Sequence, residues 1–377
     1  FLDNFLKKIN ITSNISYVPV INNISSKKLL IFKNWLEDNQ NSATFLPYYF
    51  SIYGFFSEIF NTKLLYNSKN KFLNDVNLKF LINMERLEEW SDFSLQNFLI
   101  RKTSSHIKKK LHKKLIIYPF ENQIWERNML YIFQNDKNVK IYGIQNAPAP
   151  KLSIRYFVSK SLIKYLPLPN LIFVIGNISY DNLSPYYGKH MLKKISSSRK
   201  IHYDLKKLYS ENRNKNIMVA CSISVDESIQ LINFVFNSLK KHKKYKIIIV
   251  PHPLSKFDYS KYLKSINAPS NYCLSTDYKF TLDNSKYILF DSSTAGIEGL
   301  LNGLLPVRIS NEYMLSVNPM EYDNIYTKYA YTHSDLLSIL NNNEEIDSNA
   351  VKVALKYYKI DDTNVIKYVV KQLEFLS

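Results

Sequence analysis

Short, unbroken apolar runs alternate along the chain with longer stretches whose apolar residues recur every three or four positions. The short runs are bounded by Gly and Pro and read as strands buried on both faces; the longer ones read as helices with one core-facing stripe. In the first part, Lys28–Leu36 (KLLIFKNWL) is an apolar segment and Lys114–Tyr118 (KLIIY) is a strand stopped by Pro119. A helix over Glu121–Phe133 follows, its stripe formed by Ile124, Met129, Leu130 and Phe133. Val139–Ile144 and Leu171–Ile175 are further strands, the second ending at Gly176. Asp181–Asn216 is polar, basic and irregular enough to hold a linker.

A second cycle repeats the pattern. Asn216–Cys221 is a strand, Asp226–Lys240 a helix with an acidic start, and Tyr245–Val250 a strand stopped by Pro251 and Pro253. Tyr287–Phe290 is a strand that runs straight into Ser292, Ser293 and Thr294, where a helix begins that ends near Gly303. Leu305–Ile309 is a last short strand. Two blocks of strand–helix alternation predict an α/β protein of two Rossmann-like domains with parallel sheets. The expected boundaries are a first domain at 1–165, a linker region at 166–215, a second domain at 216–345, and a C-terminal helix at 346–377 that returns to the first domain. Ligands of such sheets bind beyond the carboxyl ends of the strands, so the cleft between the domains is the expected site.

Composition sharpens this. At roughly 150 residues per domain, the 377 residues agree with two domains, and 46% hydrophobic content supports full cores. Lys and Arg number 50 against 32 Asp and Glu, a formal net charge of +18, which points to anionic partners. Two cysteines, Cys221 and Cys273, exclude a disulfide framework or a cysteine zinc site. The chain opens on Phe1 without a readable signal peptide, so a piece of a longer protein is expected. The most apolar stretch, Phe45–Phe60, is too short to span a membrane and is broken by Pro47, Gly54 and Glu58. A soluble, cytoplasmic protein is expected, with peripheral contact at the inner face of the membrane left open by the positive charge.

Basic runs at Lys108–Lys114 and Lys240–Lys244 resemble nucleic-acid patches, yet they lack interleaved aromatics and any nucleic-acid-binding motif. No nucleic-acid partner is expected. Glycine is more informative than charge. Only 7 occur, where an average chain of this length holds about 26. Three of them, Gly296, Gly299 and Gly303, fall in Phe290–Pro306 (FDSSTAGIEGLLNGLLP). A strand running into three hydroxyls at a helix start is chemistry suited to a phosphate. Gly296 would let a ligand or a neighbouring backbone approach, and Glu298 would accept from ribose hydroxyls. A plain capped helix explains Ser292 and Gly303 but not the whole cluster. In Ile247–Pro253 (IIIVPHP), a strand delivers His252 between two prolines, where it can donate to a phosphate or bond a local carbonyl.

The pair His252-Pro253 and Ser292-Ser293-Thr294, in the second of two α/β blocks, resembles the donor half of GT-B glycosyltransferases. It is most similar to bacterial enzymes using CMP-activated acidic sugars: sialyltransferases, polysialyltransferases and Kdo transferases. Tyr118–Leu130 (YPFENQIWERNML) resembles the "PFE…WE" signature of bacterial surface-carbohydrate biosynthesis proteins, and Gly143–Pro148 (GIQNAP) the "G-x-Q-H" stretch after it, with Asn146 in place of histidine. The acidic-Gly motif that carries the base in several sialyltransferase families is absent. The resemblance implies a GT-B fold with an interdomain cleft and transfer of an acidic sugar, such as Kdo, a sialic acid or pseudaminic acid, from a CMP-sugar to a capsule or lipopolysaccharide acceptor. It implies Glu121 as base, His252 assisting the leaving CMP, and donor contacts from Ser222, Ser224, His252, Pro253, Ser292, Ser293, Thr294, Gly296 and Glu298. Gln145, Asn146 and Arg127 fall on the acceptor side. No cofactor and no metal is expected, since no Asp-x-Asp motif is present; the partners are the nucleotide-sugar and a glycan or glycolipid. Glu121 also fits a plain helix-start carboxylate, and Cys221 a packed residue. The alternatives are a UDP-sugar epimerase or transferase of the same fold, and a non-catalytic anionic-glycan-binding module.

Overall fold

A computed structural model of the chain describes residues 16–17, 42–43, 92–110, 114–145, 147–149, 154–158, 163–196, 216–310, 320, 327–342, 346 and 348–358. These fall into two compact units, one within 145–160 and 173–365, the other within 2–144 and 161–172. The segments Lys28–Leu36 and Phe45–Phe60 lie outside the described residues but for the strand pair Ser16–Tyr17 (β1) and Ser42–Ala43 (β2) nearby in sequence.

The first block comprises α1 (Asp92–Lys110), β3 (Lys114–Phe120), α2 (Ile124–Phe133), β4 (Val139–Gln145), β5 (Leu171–Ile175), α3 (Gly176–Tyr187) and β6 (Leu192–Ile195). Its sheet has the order β3-β4-β5-β6. β5 is buried at every position, as a run of five aliphatic and aromatic residues requires. β3 continues through Pro119, which an edge strand tolerates because its N–H side needs no partner. The stretch 166–215, expected as a linker region after the strand Leu171–Ile175, supplies beyond that strand (β5) also α3 and β6 as far as Ile195. The reason is the weak stripe of α3: its inward positions are Gly176, Ser179, Leu183 and Tyr187, of which two are small. Helical spacing is kept there with little apolar signal.

The second block comprises β7 (Ile217–Ala220), α4 (Val225–Leu239), β8 (Ile247–Val250), α5 (Tyr259–Ser265), β9 (Tyr272–Leu274), α6 (Tyr278–Asn284), β10 (Tyr287–Phe290), α7 (Ala295–Leu301), β11 (Leu305–Ile309), β12 (Lys328–Ala330), α8 (His333–Asn341) and α9 (Ser348–Tyr358). Its sheet has the order β12-β11-β10-β7-β8-β9, and every neighbouring pair is parallel. The chain winds outward from β7 through β8 to β9, then returns to β10 on the other side of β7 and winds outward again. This is the doubly wound order, and its reversal lies between β7 and β10. One face packs Ile217, Val219, Ile247, Ile249, Leu289 and Val307 into a single core. On that face α4 and α8 lie against one another. The other face carries Ile288 and Phe290 against α7.

The helix starts are set by local oxygen acceptors. Ser224, Asp258 and Asp277 accept from the backbone three residues on, and Thr332 with Asp335 forms a reciprocal capping box. Each satisfies N–H groups that the first helical turn leaves open. Helix α9 packs against α3 and α7. Its close approach demands a glycine: Gly176 has φ +68°, and an added Cβ would run into the carbonyls of Lys356 and Tyr357. The rest of the expected C-terminal helix, 359–377, lies outside the described residues.

Candidate functional site

The reversal between β7 and β10 puts three neighbouring strand ends side by side, because β10, β7 and β8 are adjacent and parallel. Beyond them follow Cys221–Ser224, Pro251–Pro253 and Asp291–Thr294. The structure thus gathers Ser222, Ser224, His252, Pro253, Ser292, Ser293 and Thr294 along one edge of one sheet. Two of the loops are bonded together: Ser292 donates through Oγ to Glu227 Oε2 over 3.1 Å. The Glu227 N–H in turn donates to Ser224 Oγ at 3.4 Å. Ser228, fully buried behind them, donates to the carbonyls of Ser222 and Ser224 at 3.0 and 2.8 Å and holds that turn in place.

His252 is half-buried, and its Nδ1 accepts from the Leu254 N–H at 3.2 Å. A backbone N–H can only donate, so this bond keeps Nδ1 unprotonated and leaves the ring proton on Nε2. The ring is therefore a donor at Nε2. Beside this edge, Arg308 near the end of β11 is buried; its Nε donates to the Asp291 carbonyl at 3.1 Å and its Nη2 to Asp291 Oδ1 at 3.4 Å. Arg308 pins the start of the Ser-Ser-Thr turn and balances the Asp291 charge there. Sequence reasoning passed over both Arg308 and Glu227. Arg308 lay inside an apolar strand, whereas Ser224-x-x-Glu227 had the spacing of a capping box and so a visible signal.

The glycines have another cause than ligand approach. An added Cβ at Gly296 would lie 2.5 Å from Phe290 Cζ, and one at Gly299 would lie 2.5 Å from Ile288 Cγ2. Both side chains belong to β10 and are fully buried. Gly296, expected as a donor contact, is thus a packing residue that lets α7 settle on its own strand. Gly303, at φ +75°, ends the helix as expected. Of the three hydroxyls, Ser293 accepts from the Ala295 N–H at 3.2 Å, while Thr294 is the N-cap residue without a side-chain cap bond. Glu298 accepts from the Tyr278 hydroxyl at 2.9 Å.

In the first block, Glu121 and Glu126 have opposite roles. Glu126 is 1% exposed, and its two oxygens accept from the N–H groups of Glu121 at 2.9 Å and Asn122 at 3.0 Å. Asn122 sits at φ 57°, in the left-handed region, and Arg127 Nε donates to its side-chain oxygen at 3.3 Å. Burial pushes Glu126 up to about 7, against the pull of the backbone N–H groups it accepts from. Glu126 is therefore the clasp of the turn. Glu121 is half-buried at that turn, and its Oε2 accepts from Gln123 Nε2 at 2.6 Å. Arg127, expected on the acceptor side, is half-buried and helps fix the same turn.

Gln145, also expected on the acceptor side, is fully buried; its Oε1 accepts from the Ile175 N–H at 2.9 Å and ties the end of β4 to that of β5. That corrects the expectation: a glycan has no access to it. Asn146 lies outside the described residues. Cys221 is buried and its thiol is pushed up to about 12 by that burial, which makes it an inert packed residue. Of the basic runs, Lys108 donates to the Ile132 carbonyl at 2.8 Å, while Lys240 and Lys244 lie over the rings of Phe236 and Tyr245. Among the described residues no helix is long and apolar enough to cross a membrane, and no group of three His, Cys, Asp or Glu is placed to hold a metal ion.

No protein-family model matches the chain, and no curated protein matches it. Solved structures do. A glycosyltransferase from Rickettsia africae ESF-5 matches over 99% of this chain and 91% of its own, with 12% identity and a TM-score of 0.50. The fold is GT-B. The doubly wound sheet of the second block has the Rossmann-like strand order, and β3 to β6 form a second, four-stranded sheet. TarM of S. aureus matches at 16% identity and a TM-score of 0.46, over 73% of this chain, which spans 58% of TarM. S. aureus MnaA bound to UDP matches at 10% identity and a TM-score of 0.46, over 76% of this chain and 82% of its own.

Proposed function

We propose that the protein is a glycosyltransferase that binds a nucleotide-sugar at the edge of the second sheet and transfers the sugar to a surface glycan or glycolipid. The observation that carries this reading is the fold reversal between β7 and β10, flanked by loops that offer serine hydroxyls and a Nε2–H imidazole. Such a reversal is where doubly wound sheets hold nucleotides. His252 Nε2–H suits a phosphate oxygen, and Ser222, Ser224, Ser293 and Thr294 supply further polar contacts. Glu227 and Glu298 repel phosphate and suit the ribose, whose hydroxyls can donate to them. Pro253 holds the His252 backbone.

In the finer form of this reading, taken from the His-Pro and Ser-Ser-Thr resemblance, the donor is a CMP-sugar carrying an acidic sugar. Glu121 takes the proton of the acceptor hydroxyl while that oxygen bonds to the anomeric carbon. The bond from that carbon to the phosphate oxygen breaks, and its electron pair leaves with CMP, stabilised by His252. No metal takes part. The enzyme then works on the cytoplasmic side of the membrane, and the net charge of +18 favours an anionic donor and an anionic membrane face.

A thermal-shift panel of CMP, UDP, GDP and ADP tests both levels. Any ligand at a hundred times its Kd stabilises the folded state by about 2.7 kcal/mol. CMP is expected to raise Tm, and His252→Ala to abolish the rise. Stabilisation by UDP alone would remove the CMP donor and keep a nucleotide-sugar enzyme. Silence from all four would overturn the reading in favour of a glycan-binding module.

A further inference from the structure

The turn after β3 contains a chain of side-chain hydrogen bonds that the fold does not need. Trp125 donates through Nε1 to Gln123 Oε1 at 2.8 Å, and Gln123 donates through Nε2 to Glu121 Oε2 at 2.6 Å. Gln123 is the N-cap residue of α2, yet its side chain makes no cap bond. Glutamine is a poor choice for that position, where Ser, Thr, Asp or Asn would serve the helix. The turn is instead clasped by Glu126, which reaches back from the third helical position to the N–H groups of Glu121 and Asn122. With the helix start served by Glu126, the Gln123 amide is spent on the Glu121 carboxylate. Trp125 is itself fixed, its ring meeting that of Tyr118 edge-on at 6.2 Å. A carboxylate oriented by an amide that is oriented in turn by a packed indole has its plane set before any substrate arrives.

We propose that Gln123 is the positioning residue for Glu121, with Trp125 setting Gln123 in place. The inference rests on the reading of Glu121 as the base, and it adds the means by which one lone pair is aimed. Gln123 neither touches the donor nor moves a proton; it fixes the rotation of the carboxylate about its last single bond. Removing the amide frees that rotation and withdraws a charge-assisted hydrogen bond. Replacing it with a carboxylate keeps the acceptor for Trp125 and sets a like charge against Glu121.

The test uses the full chain and CMP-N-acetylneuraminic acid as donor probe, scored by release of CMP. Gln123→Met and Gln123→Glu are expected to lower kcat tenfold or more with KM for the donor within a factor of two. In Gln123→Glu the acidic limb of the pH–rate profile moves to higher pH, and Trp125→Phe, which keeps the ring, gives a smaller loss of kcat. A role confined to stability would lower Tm and leave the limb in place, and that result, or an unchanged kcat in both Gln123 variants, overturns the proposal. Glu121→Gln separates the two levels. If that variant turns over normally, the base reading falls, whereas loss of turnover there beside intact Gln123 variants sinks only the positioning role. Should wild type release no CMP, proton NMR decides: a Gln123 amide signal that fails to move in Glu121→Ala, or a Trp125 indole signal that fails to move in Gln123→Met, rejects the relay.

Discussion

Two strand-to-helix turns of this protein, the one after β3 and the one after β10, hold candidate site residues in opposite ways. The turn after β3 is locked from inside. Its left-handed Asn122 and the N–H groups around it are served by the buried Glu126 carboxylate of the following helix. The turn after β10 is tied from its flanks. Ser292 reaches across to Glu227 of α4, and Arg308 of β11 holds Asp291. In the first turn one buried acid does structural work and leaves a neighbour, Glu121, partly exposed. In the second the hydroxyls stay half-exposed, and the buried Arg308 holds only Asp291 at the start of the turn. A turn of the first kind is costly to break and a turn of the second kind is cheap. Mutations should therefore separate stability from function along that line.

The largest effect falls on Glu126. Glu126→Ala leaves the backbone N–H groups of Glu121 and Asn122 without their acceptor in a buried turn, a loss of roughly 2–4 kcal/mol in urea unfolding. The wild-type carboxyl also makes stability pH-dependent with a definite sign. Its pKa rises from 4.5 to about 7 on folding. Below the lower value both states hold the proton and the contribution is complete. Between the two values only the folded state holds it, so stability falls as pH rises, by about 1.4 kcal/mol per pH unit for this group alone. Above about 7 the loss is complete. Unfolding curves of wild type and Glu126→Ala from pH 4 to 8 should differ in slope over that window and run parallel beyond it. Parallel curves throughout would mean that folding leaves the titration of Glu126 unshifted.

A middle effect falls on the glycines of α7. Gly296→Ala and Gly299→Ala each press a methyl group against a fully buried side chain, Phe290 or Ile288, and overpacking of this kind costs roughly 1–3 kcal/mol. The nucleotide-induced shift in Tm should survive in the folded fraction of both variants. Loss of that shift with stability unchanged would return the glycines to the binding site.

Much of the fold was legible in the sequence because it depends on short-range periodicity. The strands at Val139, Leu171, Ile217, Ile247 and Tyr287 are aliphatic runs that no helical stripe imitates, and their burial on both faces leaves few polar positions. Helix α3 escaped because glycine and serine hold half of its inward face. The strand-end cluster was half legible: His252 and the three hydroxyls stand out by residue type, and the parallel strands bring them along one sheet edge. The glycine cluster of α7 reflects packing, and residue type alone did not say so, since a small residue serves a nearby phosphate and a nearby phenyl ring equally well. Arg308, the bond from Ser292 to Glu227 and the bond from Gln123 to Glu121 were not legible. Each depends on which strands become neighbours or on how a turn closes, and neither is written in the spacing of one segment. The burial of Gln145 had the same cause: its partner, the Ile175 N–H, stands thirty residues away in the chain.

The smallest effect on stability carries the sharpest information about function. Ser292→Ala removes the hydroxyl that joins the Asp291–Thr294 turn to Glu227, and Glu227→Ala removes the acceptor. Both groups are half-buried, so each variant should lose no more than about 1 kcal/mol in urea unfolding, the worth of one partly exposed hydrogen bond. If the two loops form one nucleotide site, the rise in Tm given by the stabilising nucleotide should fall by half or more in either variant, and the double variant should lose no more than the larger single loss. Additive losses would mean that the two residues meet the ligand independently. Large destabilisation with the nucleotide response intact would make this turn the same kind of structural clasp as the one after β3, and the distinction between the two turns would be lost.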